Sequence, residues 1–171
     1  MNTPLYIVCD TSGSMSENWR NMLTRSMFCS IEQYMGMYHQ NIDIKLVSWN
    51  ETTTEIERMP NDEYPQEMLT CCGSLNIDSL SEFFKTRDKG KIILLSDYFW
   101  SKETKEAFEE WTESLPDSTI RILKIDFDYT GESPEGSIFT PDNMLCLLDD
   151  WFPPINADMF KRMLEWQIAA G

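Results

Sequence analysis

Asp10, Ser12 and Ser14 follow the apolar run Pro4-Leu5-Tyr6-Ile7-Val8-Cys9 and place a carboxylate and two hydroxyls at alternate positions of one short stretch. The run predicts a buried strand that ends at Asp10. The turn beyond it then gathers three hard oxygen donors, the type that Mg²⁺, Mn²⁺ and Ca²⁺ prefer. Ligands of open α/β sheets sit at the carboxyl ends of the strands, so this turn is where chemistry is expected. Asp and Ser are also favoured N-cap and turn residues, and a plain capping turn for the next helix fits the same short pattern.

The string Asp10-Thr11-Ser12-Gly13-Ser14 resembles Asp-x-Ser-x-Ser, the first motif of the metal-ion-dependent adhesion site (MIDAS) of von Willebrand factor A (vWA) domains. Two later pieces extend the resemblance. Cys72-Gly73-Ser74, with Leu80 six positions on, is similar to the family's Gly-Gly-Thr and its following apolar residue. Cys replaces the first Gly, and Ser replaces Thr, keeping the oxygen but losing the methyl that limits rotation. Thr70 is the alternative ligand for this motif. Leu94-Leu95-Ser96-Asp97 resembles the strand end whose aspartate completes the metal shell, with Tyr98 standing where the family has glycine.

The resemblance therefore implies a divalent ion, Mg²⁺ foremost and Mn²⁺ or Ca²⁺ as substitutes, held by Asp10, Ser12, Ser14, Ser74 and Asp97. It further implies a non-catalytic module in which an Asp or Glu of a partner protein completes the ion's shell. Small intracellular members of bacterial type act as adaptors with AAA+ ATPases or within tellurite-resistance, stress and defence operons. Tyr98-Phe99-Trp100 follows the third motif directly. Three consecutive aromatics cannot all face one core, so at least one is expected beside the ion, and Tyr98 or Trp100 is expected to pack against the partner.

An enzyme reading of the same residues is a metal-dependent phosphatase using Asp10. Phosphatases of the haloacid dehalogenase type need a second Asp two residues on, where this chain has Ser12. A Ser-His-Asp hydrolase lacks its Gly-x-Ser-x-Gly, and the single histidine, His39, falls at the far end of the first predicted helix. No general base stands beside the Asp10 turn.

Composition narrows the class. The 171 residues are about one domain by length, taken as 1–171. With 29 acidic against 14 basic side chains the formal charge is -15, which repels nucleic acid and anionic membranes. No apolar segment reaches membrane-spanning length, and the N-terminus enters a strand with no signal-peptide pattern. Five cysteines at irregular spacing argue against a disulfide framework. Cys9, Cys29 and Cys146 lie in apolar runs or faces and are expected to be buried hydrophobes, and a reducing cytosol is inferred.

The elements that must position the motifs follow from periodicity. Ser16 is the expected N-cap of a helix to Tyr38, with Trp19, Met22, Leu23, Met27, Ile31, Tyr34, Met35 and Tyr38 on its apolar face. Residues 41–49 read as a strand, and 52–58 as an antiparallel edge strand. A helix through Leu80, Phe83 and Phe84 is closed by Gly90, and 91–97 is a buried strand of consecutive aliphatics. Ser101 caps a helix over 102–115, and 119–126 is a strand. Residues 127–142 read as loop, Asn143–Leu148 as a short strand, and Asn156–Ala169 as a C-terminal amphipathic helix. Alternating βα units predict a doubly wound, mostly parallel sheet of about six strands with helices on both faces.

Overall fold

The computed structural model describes residues 3–39, 42–60, 62–126 and 138–153. Six strands form one sheet: β1 (Thr3–Asp10), β2 (Ile42–Trp49), β3 (Thr53–Ile56), β4 (Lys91–Ser96), β5 (Ile120–Lys124) and β6 (Ile138–Phe139). Their spatial order is β3-β2-β1-β4-β5-β6. All neighbours run parallel except β2 and β3, where Trp49 faces Thr53 and Leu46 faces Ile56. The helices are α1 (Arg20–Tyr38), α2 (Ile77–Lys85), α3 (Lys102–Glu113) and α4 (Met144–Trp151). Among the described residues no helix is long and apolar enough to cross a membrane.

Strand alternation divides the core in two. Leu5, Ile7 and Cys9 of β1 and Ile93 and Leu95 of β4 join α1 and α4 on one face. Tyr6, Val8, Ile92 and Leu94 join α2 and α3 on the other. Both central strands are covered on both sides, which is why their sequences read as unbroken apolar runs. β1 lies between β2 and β4, so chain direction across the sheet reverses there, and the carboxyl ends of β1 and β4 open side by side at that point.

Several expectations need correction. The segment after Ser12 is a 3₁₀ turn, Gly13–Trp19, and α1 begins only at Arg20, because Asn18 (φ 50°) and Trp19 (φ 60°) are left-handed and interrupt the helix. Ser16 is therefore no N-cap; its hydroxyl donates to the Gly13 carbonyl at 2.7 Å. The buried face of α1 is Thr24, Phe28, Ile31 and Met35, while Trp19 is 75% exposed and Met22 and Tyr38 are also exposed.

The run Asn143–Leu148 is helical: Asn143 ends a 3₁₀ turn and caps α4, whose Met144, Leu147 and Leu148 are buried and Leu145 exposed. A six-residue apolar run carries too little period to separate strand from helix. The decisive signal lies upstream: Thr140 and Asn143 form a reciprocal capping box, with Pro141 in the first turn. The sixth strand, β6, instead falls inside the expected loop. The expected C-terminal helix over 156–169 lies outside the described residues.

Cys29 and Cys146 are exposed, and only Cys9 of the three is buried. Cys29 follows Phe28 by one position, just off the buried stripe. Gly90 does not close α2, which ends at Lys85. A Cβ on Gly90 would sit 2.3 Å from the Pro4 carbonyl oxygen and 2.8 Å from its Cγ, so the residue permits close approach of the turn before β4 to the start of β1. Gly90→Ala should cost about 1–2 kcal/mol by forcing that approach apart, read as a lowered denaturant midpoint with unchanged slope.

Candidate metal centre

Asp10 closes β1 and is buried. Its Oδ1 accepts from the Ser12 amide at 2.9 Å and from the Ser12 hydroxyl at 2.6 Å; its Oδ2 accepts from the Ser96 hydroxyl at 2.6 Å. Ser12 Oγ lies 3.4 Å from Ser14 Oγ, so the first motif forms one connected oxygen group. Ser12 has extended backbone at the start of the 3₁₀ turn but makes no side-chain cap. The capping-turn reading of these residues therefore fails: the hydroxyl is turned to Asp10.

Asp97 follows β4 directly. Its Oδ1 accepts from the Phe99 amide at 3.0 Å, and its amide faces the Met15 sulfur at 3.3 Å. Its Oδ2 is buried and, among the described residues, accepts no hydrogen bond. Arg20 Nη1 lies 3.3 Å from that oxygen and donates to the Ser14 carbonyl at 3.2 Å. Ser101, not Asp97, caps α3, by accepting from the Thr104 amide at 3.1 Å.

The second motif is joined to the first by backbone. The Cys72 amide donates to the Thr11 carbonyl at 2.9 Å, and the Gly13 amide donates to the Gly73 carbonyl at 3.0 Å. Gly73 holds φ +74°, a left-handed geometry suited to glycine. Ser74 itself is exposed and lines a surface cleft of about 410 Å³ with Glu51, Asn76, Glu103 and Thr104. Thr70 is exposed at the end of a 3₁₀ turn, Gln66–Leu69, and its amide bonds back to Glu67. The structure thus gathers Asp10, Ser12, Ser14 and Asp97 directly, and brings Ser74 alongside through the loop that carries it.

Burial pushes the Asp10 carboxyl above its ordinary value; hydrogen bonds from Ser12 and Ser96 oppose this, and the Asp97 charge adds to the rise. Two like charges held near each other in a buried place call for a cation. Among the described residues no group of three or more His, Cys, Asp or Glu is placed to hold an ion, so the donor set is carboxylate and hydroxyl oxygen. That set fits a hard divalent ion. Asp97 Oδ2, buried without a hydrogen-bond donor, is the oxygen most in need of one.

Three residues of the site were not singled out by sequence reasoning. Ser96 is buried and serves three groups at once, donating to Asp10 and accepting from the Tyr98 amide and the Trp100 indole N–H, both at 3.1 Å. Its only signal was its place in the Leu-Leu-Ser-Asp strand end. Met15, fully buried, supplies the wall behind Asp97. Arg20 carried no signal at all, since an arginine at a helix start reads as solvated.

The aromatic triplet is arranged otherwise than expected. Tyr98 and Trp100 pack inward: Trp100 meets Trp49, Tyr98 and Phe108 edge to face, and Lys105 lies over the Tyr98 ring at 4.9 Å. Tyr98 takes the family's glycine position with φ 57°, a left-handed backbone unusual for an aromatic. The ring left outside is Phe99, 84% exposed. The Ser96 hydroxyl holds the Trp100 indole inward by accepting from it.

No family sequence model matches this chain, and no curated protein matches it in sequence. Solved structures do match in fold. The crystal structure of manganese-loaded Plasmodium vivax TRAP protein superposes with TM-score 0.62 at 16% identity, over 90% of this chain and 74% of that one. Deinococcus radiodurans RO (RSR) protein gives TM-score 0.49 at 13% identity, over 85% of this chain and 34% of its own. Mussel byssus proximal thread matrix protein 1 with a zinc-occupied MIDAS motif gives 0.46 at 13%, over 86% and 45%. The chain spans less than half the length of these last two. At such identities the likeness to the Plasmodium protein is one of fold.

Proposed function

We propose that this chain, whose fold is that of von Willebrand factor A domains, is a metal-dependent protein-binding module. The observation that carries the reading is the pair of buried carboxylates, Asp10 and Asp97, from adjacent strand ends, one of whose oxygens accepts no hydrogen bond. Asp10, Ser12, Ser14, Asp97 and, after rotation of its loop side chain, Ser74 would hold the ion, with Mg²⁺ as the cellular occupant. The manganese of the Plasmodium structure supports the choice of a hard divalent ion. When bound, such an ion supplies an electrophilic position that a partner's Asp or Glu can fill.

The partner is then a protein with an exposed acidic residue, and the chain is a cytoplasmic adaptor in a bacterial stress, defence or AAA+ ATPase-linked assembly. Catalysis is disfavoured by the residues around Asp10. Ser12 stands where a phosphatase of the haloacid dehalogenase type needs its second Asp. His39 caps the opposite end of α1.

Thermal unfolding with Mg²⁺, Mn²⁺ or Ca²⁺ against a chelator tests the ion, and capture of immobilised Asp- or Glu-containing peptides in the same buffers tests the module. Ion-dependent stabilisation and ion-dependent peptide capture support the reading. Neither effect at millimolar ion would overturn it. Phe99→Ala should leave unfolding within about 0.5 kcal/mol of wild type, since the ring touches little, while weakening ion-dependent capture by more than about 1 kcal/mol. Equal capture by this variant removes Phe99 from the interface.

A further inference from the structure

The first residue of α1 carries a cation into the site. Arg20 is 14% exposed at its side chain and Asp97 1%, so the pair is largely withdrawn from water. Yet it is poorly made. At 3.3 Å the contact is longer than a good charge-assisted bond of about 2.7–2.9 Å, and both Asp97 Oδ2 and Arg20 Nε are buried without a hydrogen-bond partner. A buried ion pair repays its desolvation only with good geometry and full hydrogen bonding. Glu17, 3.8 Å from the same guanidinium nitrogen, is itself mostly exposed and adds little.

A divalent ion on the oxygens of Asp10, Ser12 and Ser14 would need this same face of Asp97. The ion and the guanidinium cannot share it, because positive charges a few ångströms apart in a buried site repel strongly. The chain is also built to let go. Asn18 and Trp19, immediately before Arg20, both hold left-handed backbone, a conformation Asn tolerates but which is strained for Trp. Trp19 is 75% exposed, so little of its side chain is packed at this corner.

Resting on the metal-binding reading above, we propose that Arg20 is the built-in counter-ion of this site and that a divalent cation binds by displacing it from Asp97. Ion binding is then an exchange of one cation for another. The guanidinium lowers ion affinity by the fraction of molecules in which it holds Asp97, and its release moves the Trp19 corner at the edge of the site. Arg20 is thus a positioning residue that sets the ion concentration at which the module becomes competent.

The test is calorimetric titration of the full chain with Mg²⁺ and with Mn²⁺, comparing wild type, Arg20→Gln and Arg20→Lys, with indole fluorescence followed in wild type and Trp19→Phe. Arg20→Gln should bind either ion about tenfold tighter or more. Arg20→Lys keeps the charge and should stay within about threefold of wild type. The ion should change indole emission in wild type, and most of that change should vanish in Trp19→Phe. Arg20→Gln binding no tighter than wild type overturns the exchange, as does Arg20→Lys binding as tightly as Arg20→Gln. Should Arg20→Gln fail to fold in chelator, the Arg20→Lys affinity and the Trp19 signal decide between the same outcomes. Failure of the underlying reading looks different: wild type and all variants then show no binding heat with either ion.

Discussion

Asp10→Asn abolishes the stabilisation that divalent ions give this protein while leaving it folded. Ion bound only to the native state stabilises by RT ln(1 + [L]/Kd), or about 2.7 kcal/mol at an ion concentration a hundred times Kd. The variant keeps a side chain of the same shape whose oxygen can still accept from Ser12, but its NH2 meets a Ser96 hydroxyl already accepting from Tyr98 and Trp100, so the loss of ion binding is read as the difference between curves with and without ion. In chelator the charge of Asp10 also enters. Burial and the Asp97 charge raise the Asp10 pKa above its ordinary 3.8, and an acid raised on folding contributes stability below its unfolded pKa that is lost as pH rises through its folded one. At neutral pH the ionised wild-type side chain is therefore a cost that asparagine does not carry. This gain works against the mismatched Ser96 contact, so the stability of chelated Asp10→Asn relative to wild type should be highest at pH 7 and should decline as pH falls toward 4. Denaturant curves with and without Mg²⁺ at both pH values check this. Equal Mg²⁺ stabilisation in variant and wild type would remove Asp10 from the site.

Such a cost at a strand end is also what made the site readable. An acid closing an apolar run contradicts the burial that the run demands, and such contradictions mark functional positions. Asp10 and Asp97 were legible for that reason, and so were the central strands β1 and β4, since residues covered on both faces cannot hide their pattern. The start of α1 was not legible. Its apolar spacing runs back through Trp19 without a break, and only the left-handed backbone at Asn18 and Trp19 stops the helix. Nothing in that local sequence demands a left-handed turn, so it arises from tertiary packing, with Met15 drawn fully into the core beneath Asp97.

Among the described residues the strand count agreed with expectation, for partly wrong reasons. A strand expected over 143–148 is helix, and β6 sits where loop was expected; two residues of strand carry too little alternation to be seen. The aromatic triplet shows a different limit. That one ring would stand outside was expected by counting rings, but the inward seat of Trp100 rests on a buried hydroxyl four residues before it. Side-chain networks of this kind leave no periodic trace in a sequence.

Ser96→Ala tests that network and should be the most destabilising single change at the site. The hydroxyl is fully buried, donates to Asp10 Oδ2 and accepts from two N–H groups. Removing it leaves a buried carboxylate oxygen and two part-buried donors without this partner. Each orphaned group costs about 1–3 kcal/mol, and partial relaxation of the Tyr98 loop should hold the total to about 3 kcal/mol. The loss should extend to function. Partners that orient a metal ligand typically govern affinity by about 10–100-fold, so Mg²⁺ binding should weaken although Ser96 is itself no ligand. Trp100 should loosen from its contacts with Trp49 and Phe108, which near-ultraviolet circular dichroism would register. A double-mutant cycle separates the two effects. If part of the Ser96→Ala cost is the stranded Asp10 oxygen, then in Asp10→Asn the same change should cost less, with a coupling of about 1 kcal/mol or more. Strict additivity would show instead that Ser96 acts only through Tyr98 and Trp100, and that Asp10 is held by Ser12 alone.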